Sequence, residues 1–420
     1  MLKTFNFLKK NFYFFSIFII SFIFFCYFFK SYQISYLNNY AYQELFLNYE
    51  GGFVRRGLIG SIFFKINKLT NISPEIFFPT LMIIMHSLCM LCLFLILKKY
   101  KNYNLINLVI LFSPSLLLFS IYDFNMFFVK DIFVKFAILF HGILVVNFFS
   151  NKLLYNAILK YLVLPYISFV TIFIHEYQLF FFSVHFLLSL IVLKKEKISK
   201  TYLFYFFICL LVLILFNGDK YILEEINNSL LKFNIKIHSQ LSGGILWYLG
   251  GWYKWHLYYF GYKDFFMLFM CFILSLWLFF YFFQNLINKK ILLLNFKNNY
   301  TYLLFFIPSL AIFIATDHGR NFSLLSIHLV VFYLVLNINY NLLNKKYNVI
   351  LTNFSYLNIF IIFIFLYIFM WRLPQDAGFG GKEQINTIFK GSLFSEFKEF
   401  IKYLYFFIDQ NVINLPEIKL

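Results

Sequence analysis

Charged side chains are scarce in this chain of 420 residues, and arginine is the scarcest cation. Charged residues make up 13% of the sequence, which is about half their usual share in a soluble domain. Hydrophobic residues make up 62%, so a water-soluble globule is excluded. Most of the 36 basic residues are lysine. The few positions that carry arginine instead therefore call for an explanation of their own. The four arginines are Arg55, Arg56, Arg320 and Arg372.

Cysteine is also rare, and its positions exclude a disulfide framework or a cysteine-based metal site. The five cysteines lie inside apolar runs and lack the spacing of metal ligands. The GG and GFGG segments do not follow a strand pattern, so they are not phosphate-binding loops. We therefore expect no cofactor, no metal and no direct use of a nucleotide.

Long apolar runs are what the chain has in abundance. They approach or reach the roughly 18 residues that a helix needs to cross a bilayer. They predict an all-α polytopic domain over residues 1–371 and a tail over 372–420, with a first helix that is not cleaved as a signal peptide. The eleven predicted spans are 12–29, 76–97, 105–122, 132–150, 161–174, 179–193, 203–217, 265–284, 301–315, 324–341 and 349–371.

Two of the predicted spans, 161–174 and 179–193, are short. Between them lie His175 and Glu176, an ionisable pair that is costly in a membrane without a partner or a cavity. The two runs form either a tilted pair around these residues or a re-entrant hairpin. His175-Glu176 is then either part of a functional site or simply the polar tip of the hairpin.

Lysine is distributed unequally between the connections of the spans. One set of connections carries 17 lysines and a single acid, Glu196, whereas the rest of the chain carries 19 basic and 17 acidic residues. Short lysine-rich connections remain in the cytoplasm. We therefore predict a cytoplasmic N-terminus, a C-terminus on the outer face, and all four arginines on that outer face.

Two long outer segments are predicted, over residues 31–75 and 218–264. The first contains YEGGFVRRGLIGS and has amphipathic patterns on both sides of Gly51-Gly52, which predict two surface helices with a break between them. The second contains Trp252 in an aromatic stretch that suits stacking on sugar rings. The same stretch also suits the ordinary aromatic belt of a membrane interface.

Two shorter polar positions complete the predicted outer face. The sequence TDHGRN groups Asp317, His318 and Arg320 between two apolar runs, and we interpret it as a tight outward turn with more polar groups than a turn requires. Elsewhere Asp123, together with Lys130-Asp131, forms a small charged cap. Salt-bridged capping and an Asp123 that faces a cavity are the two explanations of that cap.

The chemistry of these residue types suits transfer of a glycan from a polyprenyl phosphate carrier. A planar guanidinium binds phosphate oxygens in pairs and stays charged at any working pH. It would stabilise the negative charge that the leaving phosphate gathers as the sugar bond breaks. The acceptor hydroxyl needs a base, which a carboxylate or a histidine provides.

In length, number of spans, late outer loop and outward arginines the chain resembles bacterial O-antigen polymerases of the Wzy type and the related O-antigen ligases. Its segment 31–75, with Glu44 and Glu50, resembles the first outer loop of C-type membrane glycosyltransferases, which carries surface helices and an acidic residue. The resemblance implies a multi-pass protein of the bacterial inner membrane that polymerises a surface polysaccharide at the periplasmic face. It further implies an undecaprenyl-pyrophosphate-linked glycan and membrane lipids as partners, a chain-length regulator or flippase as a further partner, and no nucleic acid.

We expect three groups of residues to form the site. Arginines hold the carrier pyrophosphate, other outer residues bind the substrate, and a carboxylate assisted by a histidine serves as the base. A single-sugar C-type glycosyltransferase and a flippase or transporter of a lipid-linked or anionic substrate are the alternative functions. The three groups are Arg55, Arg56 and Arg320; Glu50, Asp123 and Trp252; and Glu176 or Asp317 with His175 or His318.

Overall fold

A computed structural model describes twelve stretches of the chain. In these stretches all regular structure is helical, without a strand. The predicted first span 12–29, most of 218–264 and the tail after residue 373 lie outside them. The described residues are 40–54, 56–100, 105–122, 124–193, 195–215, 220–235, 266–277, 307–310, 318–343, 366–367, 371 and 373.

The longer helices are joined by short helical pieces of other types. Two 3-10 turns occupy Phe124–Phe128 and Leu231–Phe233, and two π-helical segments occupy Leu159–Val163 and Tyr166–Val170. The α-helices in chain order are α1 Tyr40–Glu44, α2 Leu58–Thr70, α3 Pro74–Tyr100, α4 Leu105–Phe112, α5 Phe119–Tyr122, α6 Asp131–Phe148, α7 Lys152–Ile158, α8 Thr171–Ile174, α9 Gln178–Val192, α10 Lys195–Leu215, α11 Lys220–Leu230, α12 Phe266–Trp277 and α13 His318–Leu343.

Four helical runs in the described residues are long and apolar enough to cross a membrane. They are Pro74–Lys99, Asp131–Phe148, Lys152–Ile174 and His318–Asn339. They match the predicted spans 76–97, 132–150, 161–174 and 324–341, and α9, α12 and part of α10 are shorter apolar helices. The chain is therefore a helical membrane protein, while the total of eleven spans and the orientation of the termini remain predictions.

The predicted span 105–122 is not one continuous helix. α4 ends at Phe112 and α5 begins only at Phe119. Pro114 explains the break, because it lacks an N–H and disfavours helical backbone at the residue before it. The residue before the proline is Ser113, and its hydroxyl forms hydrogen bonds with Ser115 Oγ at 3.0 Å and with Tyr367 Oη at 2.8 Å. The polar side chain at the break therefore has hydrogen-bond partners inside the protein.

The predicted short span 161–174 is longer than expected. Its helix begins at Lys152 and reaches Ile174 through the two π-helical segments, a run of 23 residues. That length is sufficient to cross a bilayer, whereas the second run, Gln178–Val192, has 15 residues and is one of the shorter apolar helices. His175 is extended, and α9 starts at Gln178, so the break between the two helices falls at His175-Glu176 as predicted.

The predicted turn around Arg320 is wrong in its described part. α13 begins at His318, so His318, Gly319 and Arg320 lie in its first turn. The reason is that an Asp followed by small and polar residues is also the sequence signal of a helix start. Arg320 is consequently held by helical backbone rather than by a loop.

The centre of the described bundle is formed by α6 and α13. α6 packs against α3, α9 and α13, and α13 also packs against α3 and α9. A Cβ on Gly142 would lie 2.8 Å from Val331 of α13, so glycine at this position lets the two helices approach closely. The membrane-crossing part of α13 is entirely buried. Polar side chains on α13 therefore need partners within the protein.

Candidate functional site

The loop between α1 and α2 is built on glycine, which lets it fold closely against itself. Gly52 has a φ of +124°, a conformation that side-chain-bearing residues rarely adopt, and a Cβ on Gly60, in the first turn of α2, would collide with the carbonyl oxygen of Leu47 in the loop. Within this loop Arg56 has a φ of 66°, in the left-handed region that is uncommon for arginine. Backbone of this kind persists where surrounding contacts fix it, and functional sites are where it is commonly found.

The contacts that fix Arg56 are made by two carboxylates from different parts of the chain. Its Nε donates to Glu176 Oε2 at 2.8 Å, and its second guanidinium nitrogen also bonds Glu176. The remaining nitrogen donates to Glu44 Oε1 at 2.6 Å. The guanidinium thus joins the end of α1 to the break before α9, with both sides of its planar fork in use.

Glu44 is the more buried of these two carboxylates, with no exposure of its side chain compared with 15% for Glu176. Burial alone would raise the pKa of Glu44, but the cations Arg56, Lys130 and Arg320 outweigh burial, and the net pKa lies below its ordinary value. Glu44 is therefore an ionised carboxylate. Its Oε2 is buried and has no hydrogen-bond partner among the described residues.

Lys130, immediately before α6, contacts the backbone of the loop that carries Arg56. Its ammonium nitrogen donates to the carbonyl oxygen of Arg56 at 2.6 Å, which helps to hold the left-handed backbone there. Burial lowers the pKa of Lys130 to about 7, although Glu44 and Glu176 oppose the shift. The amine therefore titrates near neutral pH.

A second ion pair lies beside the first and is almost completely buried. Arg320 Nε donates to Asp131 Oδ2 at 3.0 Å, and a terminal nitrogen of the same guanidinium donates to Oδ1 at 2.9 Å. Asp131 therefore pairs with α13 and does not form the predicted cap with Lys130. The side chains are 2% and 4% exposed, so each charge depends on the other for compensation.

His175 connects the two ion pairs. Its Nε2 lies 3.1 Å from Asp131 Oδ1 and 2.9 Å from a nitrogen of Arg320. A guanidinium nitrogen can only donate, so in the contact with Arg320 the lone pair of His175 Nε2 is the acceptor. Burial lowers the pKa of His175 to about 4, outweighing Asp131, so the ring is neutral at neutral pH.

These residues form one cluster, here called the arginine–carboxylate cluster. Three cations face three carboxylates, so that when all six are ionised the cluster carries no net charge. Arg56 and Glu176 are the partly exposed members, at 17% and 15%. The pair of Asp131 on α6 with Arg320 on α13 is buried. The members are Glu44, Arg56, Lys130, Asp131, His175, Glu176 and Arg320.

Four of the predicted site residues are brought together in this cluster. They are Arg56, His175, Glu176 and Arg320. Of the other described candidates, His318 is buried two residues before Arg320 on α13, and Glu50 is exposed and pairs with Lys68 at 3.3 Å instead of joining the cluster. The remaining candidates, which lie outside the described residues, are Arg55, Asp123, Trp252 and Asp317.

Three members of the cluster were not predicted as site residues: Glu44, Lys130 and Asp131. The signal was present for the adjacent pair, because two opposite charges inside FFVKDIFV need compensation from elsewhere in the protein. Glu44 stands in the equally apolar YAYQELFL and gives the same signal. Within the part of the chain that the structure describes, no three His, Cys, Asp or Glu side chains are arranged to hold a metal ion.

Comparison of the chain with protein-family models, with curated proteins and with solved structures finds no match. What the cluster does must therefore be inferred from its own geometry and chemistry.

Proposed function

We propose that this protein is a glycosyltransferase that moves a sugar or oligosaccharide from a polyprenyl (pyro)phosphate carrier at the periplasmic face of the bacterial inner membrane, as a surface polysaccharide polymerase. The observation that supports this most is the convergence of Arg56 and Arg320 on the adjacent residues His175 and Glu176. Segments far apart in the chain thus place cations and proton acceptors within one small volume.

Arg56 is the residue best suited to hold the carrier phosphate. It lies at the solvent-accessible end of the cluster, and its donors already engage carboxylate oxygens, whose geometry resembles that of phosphate oxygens. A phosphate binds there by competing with Glu176 and Glu44 for the guanidinium. In its bidentate pair with Asp131, Arg320 is less available, which favours a positioning role for it through His175.

Glu176 is then the best-placed base among the described candidates. It is partly exposed, and exchange of its guanidinium partner for phosphate would free its oxygens. In the proposed step the acceptor hydroxyl oxygen forms a bond to the anomeric carbon of the donor sugar. The bond from that carbon to the carrier phosphate breaks, its electron pair stays on the phosphate oxygen, and the hydroxyl proton passes to Glu176.

Glu44 is a second candidate for the base. It lies in the first outer segment, where the resemblance to C-type glycosyltransferases implies an acidic residue, and its buried Oε2 lacks a partner among the described residues. A single-sugar transferase of that type would use the same cluster. The length of the product distinguishes it from a polymerase.

A transporter of a lipid-linked or anionic substrate is the second candidate function, and Lys135 favours it. This lysine is buried one turn into α6, where it donates to the carbonyl of Leu116 at 3.1 Å and to Ser323 at 2.8 Å. Leu116 belongs to the break between α4 and α5. Charged residues beside interrupted helices are typical of substrate sites in secondary transporters.

The decisive experiment uses the purified protein in proteoliposomes with the polyprenyl-linked oligosaccharide fraction of the source cells. New glycosidic bonds, lost in Arg56→Ala and kept in Lys68→Ala, are expected. Lys68 provides the matched control because its ion pair is exposed. Movement of the substrate across the bilayer without a new glycosidic bond would replace the enzyme proposal by the transport proposal. In cells, normal glycan chain length in both Arg56→Ala and Arg320→Ala would remove these arginines from the mechanism.

A further inference from the structure

A row of aromatic rings begins beside the arginine–carboxylate cluster and continues along the surface of the bundle. Phe53 lies in the loop that carries Arg56, and its ring contacts Phe173 at a centroid distance of 5.0 Å. Phe173 contacts Phe169 at 6.3 Å, and Phe169 contacts Tyr205 of α10 at 6.1 Å. Each of these four side chains is at least partly exposed. They are here called the aromatic strip: Phe53, Phe169, Phe173 and Tyr205.

Phe169 and Phe173 lie on the exposed face of a candidate membrane span. In the run Lys152–Ile174, partly or fully exposed residues recur at every fourth position, at Tyr161, Pro165, Phe169 and Phe173. Positions four apart drift by about 40° around an α-helix, so such a row would wind away from one face. The two π-helical segments, whose hydrogen bonds reach one residue further, widen the turn and counter that drift. The row therefore stays on one side of the span.

One end of the aromatic strip meets the partly exposed end of the cluster. Arg56 follows Phe53 by three residues, and Glu176 follows Phe173 by three. The two strands of chain are held together because α2 packs against α8, and Arg56 is bonded to Glu176. The other end of the strip continues into the span, where the second π-helical segment packs against α10. A guanidinium that suits phosphate thus lies at one end of an aromatic surface that runs along a candidate membrane helix.

The two ends together suit a lipid with a phosphate head and a single long chain. A free sugar phosphate would engage Arg56 and leave the aromatic strip without a ligand, and a neutral lipid would do the reverse. The rings form a single row, which fits one chain better than the paired chains of a phospholipid. An isoprenoid chain also presents planar double bonds to the rings, and flat π-systems pack against aromatic faces and edges. A saturated acyl chain has no such groups.

We propose that the aromatic strip binds the isoprenoid chain of a lipid whose phosphate is held by Arg56. The head lies in the arginine–carboxylate cluster, and the chain follows Phe53, Phe173 and Phe169 towards Tyr205. The identity of this lipid rests on the proposed function, and the strip assigns residues to the part of the carrier that does not react. Because chain and head are one molecule, contacts along the chain raise the effective concentration of the phosphate at Arg56.

The test is photo-crosslinking of the full chain in proteoliposomes of phosphatidylethanolamine and phosphatidylglycerol. The probe is a polyisoprenyl phosphate with a diazirine in its isoprenoid chain, and mass spectrometry locates the labelled residues. In the wild type, labelling is expected in segment 166–174 and around Tyr205. Unlabelled polyisoprenyl phosphate should displace the probe, whereas additional phosphatidylglycerol in the same excess should not.

Variants of one ring test the contribution of the strip itself. Phe169→Ala removes an aromatic contact and is expected to lower labelling about two- to tenfold. Phe169→Trp keeps an aromatic ring at this position and should retain labelling. Phe269→Ala is the matched control, because Phe269 is 49% exposed on α12, compared with 37% for Phe169, and lies outside the strip. It should bind the probe like the wild type.

Two results would overturn the binding site. Displacement of the probe by phosphatidylglycerol as effective as that by polyisoprenyl phosphate would show contact with bulk lipid only. Full labelling in both Phe169→Ala and Phe173→Ala would show that the rings do not hold the chain. No sugar is transferred in this measurement, so the two proposals fail separately. Specific labelling of the strip in a protein that forms no glycosidic bond would support the lipid site and contradict the proposed function. Glycosyl transfer without labelling of the strip would do the reverse.

Discussion

Arg320 and Asp131 form a buried bidentate ion pair although 189 residues separate them in the chain. The pair fastens the first turn of α13 to the first turn of α6, the two helices at the centre of the described bundle. His175 lies against both side chains, so the same pair also sets the position of the break before α9.

Removal of one charge from this pair is expected to destabilise the protein strongly. Asp131→Asn keeps the size of the side chain but leaves the Arg320 guanidinium buried without its counter-charge, a loss of about 3–5 kcal/mol in comparable pairs. The double variant Asp131→Leu, Arg320→Met removes both charges and should recover much of that loss. Unfolding in mixed micelles measures both variants.

The control for that prediction is the exposed pair of Glu50 with Lys68. Glu50→Gln is expected to change stability by less than about 1 kcal/mol, because solvent screens an exposed pair. Equal losses in Asp131→Asn and Glu50→Gln would show that burial of the Arg320 pair carries no special weight.

Arg56→Lys is expected to lose activity although it keeps the positive charge. A lysine ammonium cannot bond Glu176 through two nitrogens and Glu44 through a third, as the guanidinium does. We expect a fall of about a hundredfold in kcat, the scale seen when one donor to a developing anion is removed. Glycan synthesis in proteoliposomes measures the change, and full activity in Arg56→Lys would exclude bidentate phosphate binding.

The sequence predicted the helical membrane architecture because apolar length is a local property. Spans 76–97 and 132–150 correspond to helices with ends displaced by only a few residues. Local sequence was insufficient for prediction where one pattern is compatible with two different backbone structures. The residues around Arg320 are typical of a turn as well as of a helix start, and the structure has a helix there. The apolar run 105–122 was predicted as one continuous helix although it contains Pro114, where the structure has a break.

The site could be predicted in part, because arginine in a lysine-rich chain is conspicuous. Arg56 and Arg320 were identified from that contrast and do converge on His175-Glu176. Their carboxylate partners could not be assigned, since the pairing of Asp131 with Arg320 depends on how α6 packs against α13. Only the packed structure shows which of 18 acidic residues lies against which cation.

Lys130 is expected to make stability depend on pH above neutrality. Burial lowers its pKa from 10.5 to about 7 in the folded protein, so between these values the unfolded chain binds the proton and the folded protein does not. Stability contributed by this residue therefore rises as pH increases from about 7 towards 10. Lys130→Met, measured by unfolding across this range, should lack the rise. An identical rise in Lys130→Met would assign the effect to another group.

Gly60→Ala is expected to disturb the loop that carries Arg56. The added methyl group collides with the backbone carbonyl of Leu47, which cannot move aside as a flexible side chain does. Overpacking of this kind costs about 1–3 kcal/mol, and we expect glycan synthesis to fall as well. Ile62→Ala on the exposed face of α2 is the control and should leave both stability and activity close to the wild type.

The lysine distribution predicts on which side of the membrane each end of the bundle lies. Glu50, six residues before Arg56 of the arginine–carboxylate cluster, is predicted to face the periplasm. Leu153, at the start of α7, is 86% exposed and is predicted to face the cytoplasm. In a background without native cysteines, a membrane-impermeant maleimide added to intact spheroplasts should label Glu50→Cys. Leu153→Cys should react only after the membrane is permeabilised.

The reverse pattern would place the cluster in the cytoplasm, where the proposed carrier-linked donor is not polymerised, and the function would need another explanation. Labelling of both positions from outside would contradict the assignment of 152–174 as a full span. Labelling of Lys68→Cys, on the exposed side of α2, provides an independent reading of the same face. It should agree with Glu50→Cys, because the two side chains lie 3.3 Å apart in the folded protein.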